Sequence, residues 1–269
     1  MDVQKKTNLK IATYNVNSVR SRLHIILPWL TRHQPDLLCM QETKVADKEF
    51  PAVEFEKIGY HVIFRGEKRY NGVAIASLAM PEKVSFGFDD GGPPDADRLI
   101  HGVYGKIAVL NLYVPQGRSR EHEQFEYKIQ WFHRLRRYLE RQARPDGFVI
   151  CCGDLNVARE NIDVHDPKRL FGHVDFTPEV WDAFDDLTAW GLVDVFRAKH
   201  RDEAGLYTFF DYRVPRSLER GLGWRVDHML ATDSLCEKST GCYIDPEPRS
   251  MEKPSDHTVL VAEFAVGDE

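Results

Sequence analysis

Phe148-Val149-Ile150-Cys151-Cys152-Gly153-Asp154-Leu155-Asn156 is an apolar run that ends in a polar cluster. Near the end of the chain, Ser255-Asp256-His257 stands directly before a second such run, Thr258-Val259-Leu260-Val261. Short apolar runs bounded by turn residues read as buried strands. Acidic, amide and imidazole groups at the ends of such strands suit an active site, because the sheet fixes their positions while the loop gives access. The pair of clusters points to a metal-assisted hydrolase.

Working outward, strand and helix patterns interleave. Residues 9–14 alternate as a strand, and Leu23, Ile26, Leu27 and Leu30 recur at helical spacing, with Pro28 expected to kink or end that helix. Residues 36–40 form a second strand running into Gln41-Glu42, and 73–76 and 107–114 are further strands. Phe125, Ile129, Phe132, Leu135 and Leu139 mark one face of a long amphipathic helix, whose Arg134, Arg136, Arg137 and Arg141 are expected on its solvated side. Thr177-Pro178 caps another helix, with Gly191 expected to close it. The last strands are 225–230 and 258–264. The loops 88–97 and 211–223 do not have the composition of linkers, so the expectation is one α/β domain over 1–269 with a core of 9–264.

Bulk properties narrow the class. The chain has 269 residues, 42% hydrophobic and 29% charged, which is ordinary for a globular protein. No apolar stretch reaches the roughly 20 residues that span a bilayer. The opening Met1-Asp2-Val3-Gln4-Lys5-Lys6 is polar, without an apolar signal core, so a cytoplasmic protein is expected. Five cysteines, an odd number without metal-ligand spacing, fit reduced thiols better than disulfides or zinc. A net charge of −6 excludes nonspecific polyanion binding over the whole surface but leaves room for a local basic face.

The chemistry-bearing residues sit at strand ends. Glu42, Asp154, Asp227 and Asp256 are carboxylates able to hold a hard cation such as Mg²⁺. Asn15, Asn156, Tyr113 and His257 could hydrogen-bond a phosphate or its transition state. Each residue alone is ordinary: a lone Asp is more often a cap or turn residue, and a lone His a surface one. Their recurrence in this order is not ordinary.

Seven motifs in sequence carry a resemblance: Tyr14-Asn15-Val16-Asn17, Gln41-Glu42-Thr43-Lys44, Asn71-Gly72-Val73-Ala74, Asn111-Leu112-Tyr113-Val114-Pro115, Gly153-Asp154-Leu155-Asn156, Gly223-Trp224-Arg225-Val226-Asp227 and Ser255-Asp256-His257. Over nearly the whole chain the sequence resembles exonuclease III and the abasic-site endonucleases of the endonuclease/exonuclease/phosphatase superfamily. Ile162-Asp163-Val164 and Asp166-Pro167-Lys168 also fit this DNA-repair branch. The resemblance departs at Tyr14, where Trp is common, and at Asn17, which is Asp in some relatives.

The resemblance implies an α/β four-layered sandwich: two mixed β-sheets packed face to face, flanked by α-helices, with the site at one end. It implies Mg²⁺-dependent hydrolysis of the phosphodiester 5′ to abasic sites, with 3′-5′ exonuclease and 3′-phosphatase or phosphodiesterase activity. Mn²⁺ is expected to substitute for Mg²⁺. Glu42 would be the main metal ligand, with Asn15, Asn17 or Asp256 nearby. His257 would contact the scissile phosphate and Asp227 would fix its tautomer. Asn156 and Tyr113 would position water and phosphate. Either Asp154 or the His257–Asp227 pair would take the proton from the attacking water. Phe209, Trp224 and Val226 would wall a pocket for a flipped-out baseless sugar. Asn71, Gln116, Arg118 and the loop arginines Arg213, Arg216, Arg220 and Arg225 would contact DNA. The implied partner is duplex DNA with abasic or blocked 3′ ends, bound by a monomer. Two rivals are weighed: a superfamily relative acting on other phosphoesters, such as a phosphoinositide phosphatase or general nuclease, and a non-catalytic DNA-binding protein. The second predicts loss of Glu42, Asp154, Asp227 or His257, and all four are present.

Overall fold

Alternation along Asn8–Asn15 makes the first strand, β1, in which Ile11 and Thr13 face one way and Ala12 and Tyr14 the other. All four are buried, so both faces of the sheet are covered. The computed structural model describes residues 8–267, and the polar opening Met1 to Lys6 lies outside them. The remaining strands are β2 (Leu37–Gln41), β3 (His61–Arg65), β4 (Val73–Ser77), β5 (Lys83–Phe86), β6 (Leu99–Tyr104), β7 (Ile107–Tyr113), β8 (Phe148–Asp154), β9 (Leu192–Asp194), β10 (Asp227–Thr232), β11 (Ser239–Asp245) and β12 (Val259–Ala265). The α-helices are α1 (Val19–His33), α2 (Ala52–Glu56), α3 (Glu123–Gln142), α4 (Pro167–Leu170), α5 (Pro178–Thr188), α6 (Val195–Lys199), α7 (Asp233–Cys236) and α8 (Glu247–Ser250).

The strands form two six-stranded sheets, β11-β12-β1-β2-β4-β3 and β5-β6-β7-β8-β10-β9. Each sheet is mixed, with a central parallel pair, β1–β2 in one and β7–β8 in the other. The two orders are equivalent, so the sheets are related by pseudo-symmetry. Between the sheets lie Ile11, Cys39 and Ile75 from one and Val109, Ile150 and Met229 from the other. Outside the first sheet, Ile26, Trp29 and Leu30 of α1 pack on Ala12, Leu38 and Val261. Outside the second, Trp131, Leu135 and Leu139 of α3 and Phe184 of α5 pack on Leu110, Cys151 and Leu230. The result is the expected four-layered sandwich. No helix among the described residues is long and apolar enough to cross a membrane.

Four local expectations are corrected. Of the two outcomes expected at Pro28, an end is excluded, because helix α1 runs on to His33. A mid-helix proline costs about 3 kcal/mol, but Ile25, Ile26, Trp29 and Leu30 on either side are buried, and each contributes about 1.5–3 kcal/mol. Helix α5 is capped by the Thr177 side chain as expected but ends at Thr188, and Gly191 lies beyond it in the turn to β9. The strand expected from Arg225 begins at Asp227, because the Arg225 amide bonds to the Asp163 carbonyl and not to a ladder. Arg134 is not solvated: it is 6% exposed, bonds to Asp90 and Asp95, and lies over the Phe88 ring. Its ion pairs pin the loop 88–97 to α3.

Two features hold the site end rigid. Asn111 of β7 crosses between the sheets, donating to the Met40 and Ala74 carbonyls at 3.0 and 2.9 Å and accepting from Gln41 Nε2 at 2.7 Å. Gly153, one residue before Asp154, adopts φ +141°, and a Cβ there would lie 2.0 Å from the Leu112 carbonyl oxygen. Only glycine lets β8 approach β7 this closely.

Candidate active site

The strands deliver their polar residues to one end of the sandwich. Asn15, Tyr113 and Asp154 end β1, β7 and β8, Glu42 follows β2, Asp227 begins β10, and Asp256-His257 precedes β12. Backbone in the left-handed region concentrates here, at Asn17, Glu42, Lys44 and Asn156. Such conformations in non-glycine residues mark sites held by their surroundings.

His257 Nδ1 donates to Asp227 Oδ2 at 2.8 Å, and His257 Nε2 lies 3.8 Å from Asp154 Oδ2. Burial alone would lower the His257 pKa, but the carboxylates of Asp227 and Asp154 push it up to about 10, which favours the imidazolium form. Burial also pushes Asp154 up, to about 8; His257 pulls it back, while Asp227 and Glu42 add to the rise. Asp154 Oδ1 accepts from the Asn156 amide at 2.9 Å. Asn156 Nδ2 is committed to the Val114 carbonyl at 2.9 Å, which leaves its amide oxygen as its acceptor. Ser255 Oγ bonds to both the Asn15 carbonyl and the His257 amide, fastening the turn before β12 to β1.

Glu42 Oε1 accepts from Asn15 Nδ2 at 2.9 Å and from Tyr113 Oη at 3.0 Å. The same Asn15 nitrogen reaches Asp154 Oδ2 at 2.9 Å. Two carboxylate partners demand the NH₂ group on that side, so Asn15 holds Glu42 and Asp154 in place and turns its oxygen to the Asn17 amide. Burial opposes the Glu42 charge, yet Lys44 and Asn15 leave its pKa lowered. Burial, then Glu42 and Asp154, push Tyr113 far up, so its hydroxyl stays a donor. Lys44 Nζ lies 2.6 Å from both Glu42 Oε2 and Asn17 Oδ1, and Asn17 Nδ2 donates to Asp256 at 3.0 Å.

Of these groups, Glu42, Tyr113, Asp154, Asn156, Asp256 and His257 line a cavity of about 480 Å³, together with the apolar side chains of Phe209, Trp224 and Val226, while Asn15, Lys44 and Asp227 stand behind that lining. The Phe209 ring centroid is 4.9 Å from that of His257. Trp224 and Val226 also belong to a small core cluster with Val164 and Phe176, so they serve both the packing and the cavity wall. Gln116, Arg118 and Arg213 line the same cavity.

Asn71 lies outside the cavity lining. Its side chain bonds to Asp97 and Arg98, the Arg98 guanidinium sits 4.8 Å from the Tyr113 ring, and the Asn71 carbonyl accepts from the Lys44 amide at 2.9 Å, so Asn71 supports the site from behind. Arg225, expected among the loop's DNA contacts, is fully buried in ion pairs with Asp163 and Asp194. Sequence reasoning gave no role to Lys44, His173, Asp175 or Lys128. Only Lys128 carried a signal, a cation at position i+3 from Phe125 on the apolar stripe of α3.

The donor set suits a hard divalent cation. Glu42 and Asp256 present carboxylates to the cavity with no sulfur among its lining residues. The carboxylates of Glu42, Asp154, Asp227 and Asp256 outnumber the cations Lys44 and His257, and Asp227 and Glu42 add to the rise that burial causes at Asp154. A separate grouping of His33, Asp245 and Glu247 joins α1 to α8, where Trp29 and Arg32 already bond to its carboxylates.

The sequence pattern of the Endonuclease/Exonuclease/phosphatase family matches residues 12–257. The chain is 33% identical to exodeoxyribonuclease III of Haemophilus influenzae, over 95% of this chain and 100% of that protein. The structure of an AP endonuclease from Archaeoglobus fulgidus superimposes with a TM-score of 0.93 at 54% identity, covering 95% of this chain and 99% of that one. A Neisseria 3′ phosphatase, NExo, solved with a product DNA hairpin, superimposes with a TM-score of 0.90 at 33% identity, again over 95% and 99%. The chain therefore belongs to the endonuclease/exonuclease/phosphatase family, in its exodeoxyribonuclease III and AP endonuclease branch of hydrolytic DNA repair nucleases.

Proposed function

We propose that the chain hydrolyses the phosphodiester 5′ to an abasic nucleotide in duplex DNA with Mg²⁺ as cofactor. The same site would trim blocked 3′ ends, the chain acting as a cytoplasmic monomer. The observation that carries the reading is the placement of Phe209, Trp224 and Val226 in one cavity with His257, whose ring Asp227 holds from behind. A flipped-out sugar without its base costs less to extrude than a paired nucleotide and suits a small apolar wall. The free thiols of all five cysteines fit a reducing compartment.

The hydrogen-bond geometry supports the following roles. His257, whose Nδ1 donates to Asp227, donates Nε2–H to a non-bridging phosphate oxygen. Asp154, with its pKa near working pH, takes the proton of the attacking water. The Asn156 oxygen accepts from that water and orients it. Tyr113, kept protonated, donates to the phosphate. Held by Glu42 and Asp256, Mg²⁺ or Mn²⁺ would supply Lewis-acid stabilisation of the leaving 3′-oxygen. Asn15 keeps Glu42 and Asp154 in register.

The test is cleavage of an end-labelled duplex bearing one central abasic analogue, beside an intact duplex, with Mg²⁺ and with EDTA. The expected result is Mg²⁺-dependent incision 5′ of the lesion, lost in Glu42→Ala and His257→Ala. Shortening of the intact duplex from its 3′ ends, without incision, would overturn the abasic reading in favour of an exonuclease.

A further inference from the structure

Lys128 lies on the buried face of α3 with its side chain fully enclosed. Its ammonium is 3.2 Å from the Gln116 carbonyl, 2.5 Å from the Asn156 carbonyl, 2.9 Å from the Val174 carbonyl and 2.6 Å from Asp175 Oδ1. These acceptors belong to three chain segments that meet at the cavity. One follows Tyr113 at the end of β7, one follows Asp154 at the end of β8, and the third runs through residues 173–176. Gln116, Asn156, His173 and Asp175 all line the cavity.

The bonds continue beyond the lysine. Asp175 Oδ2 lies 3.5 Å from Gln116 Nε2 and 3.5 Å from His173 Nδ1. The His173 ring in turn lies 4.9 Å from that of Trp224. One buried charge thus connects the backbone of Asn156 with the wall that Trp224 forms. Enclosing an ammonium costs several kcal/mol unless its donors are all met, and an apolar side chain would fill the same space on the stripe of α3. The feature an apolar residue could not reproduce is the simultaneous hold on three segments.

Resting on the nuclease reading above, we propose that Lys128 is a positioning residue, whose ammonium fixes the Asn156 segment against the Asp175–His173 wall of the sugar pocket. It touches neither substrate nor water, and acts by setting the distance between the group that orients the nucleophile and the surface that holds the sugar. A shift of about 1 Å in such a distance is enough to cost about 10²-fold in rate.

Lys128→Met alone would leave the Asp175 carboxylate buried and unpaired, so the informative variant is Lys128→Met with Asp175→Asn, which removes both charges. On the abasic duplex at saturating Mg²⁺, kcat is expected to fall about 10²-fold. Asn156→Ala introduced into that background should cost much less than in the parent, because the position of Asn156 is already lost. Asp175→Asn alone keeps the ammonium and its three carbonyls; KM should rise by a larger factor than kcat falls. Full kcat in a folded double variant would overturn the proposal, as would an undiminished Asn156→Ala effect. A readout without DNA separates this from the function reading: the Asn156 side-chain amide and His173 ring resonances of the free protein. They should both move in the double variant, and in Lys128→Arg, whose planar fork cannot reproduce the bonds of an ammonium. Unmoved resonances would overturn the positioning role whatever substrate the parent cleaves, whereas failure of the parent to incise an abasic duplex would overturn only the function reading.

Discussion

Asp227 and His257 make a 2.8 Å hydrogen bond across the two sheets: Asp227 opens β10 in one sheet, and His257 stands at the entrance to β12 in the other. The pair is therefore assembled by the docking of the sheets and not within either of them. Activity becomes a report on the inter-sheet packing of Ile11, Ile150, Met229 and Leu260.

Asp227→Asn should lower the His257 pKa, since burial then acts with less opposition. The parent imidazolium is expected to persist in an NMR titration until about pH 10, and to titrate lower in the variant. Cleavage should fall about 10²–10⁴-fold. The sign for stability follows from linkage. A histidine raised above its ordinary 6.5 contributes stability that is complete below that pH and lost as pH rises through about 10. Urea midpoints at pH 6 and pH 10 should therefore differ more in the parent than in Asp227→Asn.

Asn15→Ala removes the donor shared by Glu42 and Asp154. Losing a group that orients a metal ligand typically costs about 10–100-fold in metal affinity or activity, so the Mg²⁺ concentration for half-maximal cleavage should rise within that range. The Asn15 bond also lowers the Asp154 pKa, so its loss raises it. The acidic limb of the pH–rate profile should move to higher pH. An unmoved limb would remove Asp154 from the role of base.

Asn111→Leu tests the link between the sheets. It removes the side-chain donor from the buried Met40 and Ala74 carbonyls, while Gln41 Nε2 keeps its bond to Thr13 Oγ1. Each orphaned group costs about 1–3 kcal/mol, so denaturant unfolding should show a loss of at least that size. Because no substrate-contacting atom is changed, any fall in kcat would reflect the relative position of the sheets.

The sequence made the strand ends legible because each functional cluster is attached to an apolar run. Glu42, Tyr113, Asp154 and His257 were read this way, and all line one cavity. Strands β3, β5, β6, β9 and β11 were not read. β3 and β5 lie at sheet edges and expose much of their surface, so they show no sustained apolar run. The charge pairs were the least legible. Arg134 and Arg225 resemble any surface arginine until the loops bring Asp90, Asp95, Asp163 and Asp194 to them from distant positions. Pro28 misled because its cost is local while the burial that offsets it is tertiary.

Arg225 and Arg213 offer a matched contrast, since both were expected to contact DNA. Arg225 is enclosed with Asp163 and Asp194, while the Arg213 guanidinium is open to solvent beside the cavity. Arg225→Ala leaves two carboxylates buried, with Arg197 still bonding to Asp163. It should lose about 3–5 kcal/mol of stability at pH 7. Burial would raise both acids, but Arg225 and its neighbours hold them below the ordinary 3.8. A depressed carboxylate stabilises above its ordinary pKa and loses that contribution as pH falls toward its folded value. The difference between parent and Arg225→Ala should therefore narrow below about pH 4. Arg213→Ala should leave the denaturant midpoint unchanged and weaken DNA binding, with the slope of log affinity against log salt reduced by about 1. If the two variants exchanged these phenotypes, the buried triad would have to be the DNA contact, which its enclosure forbids.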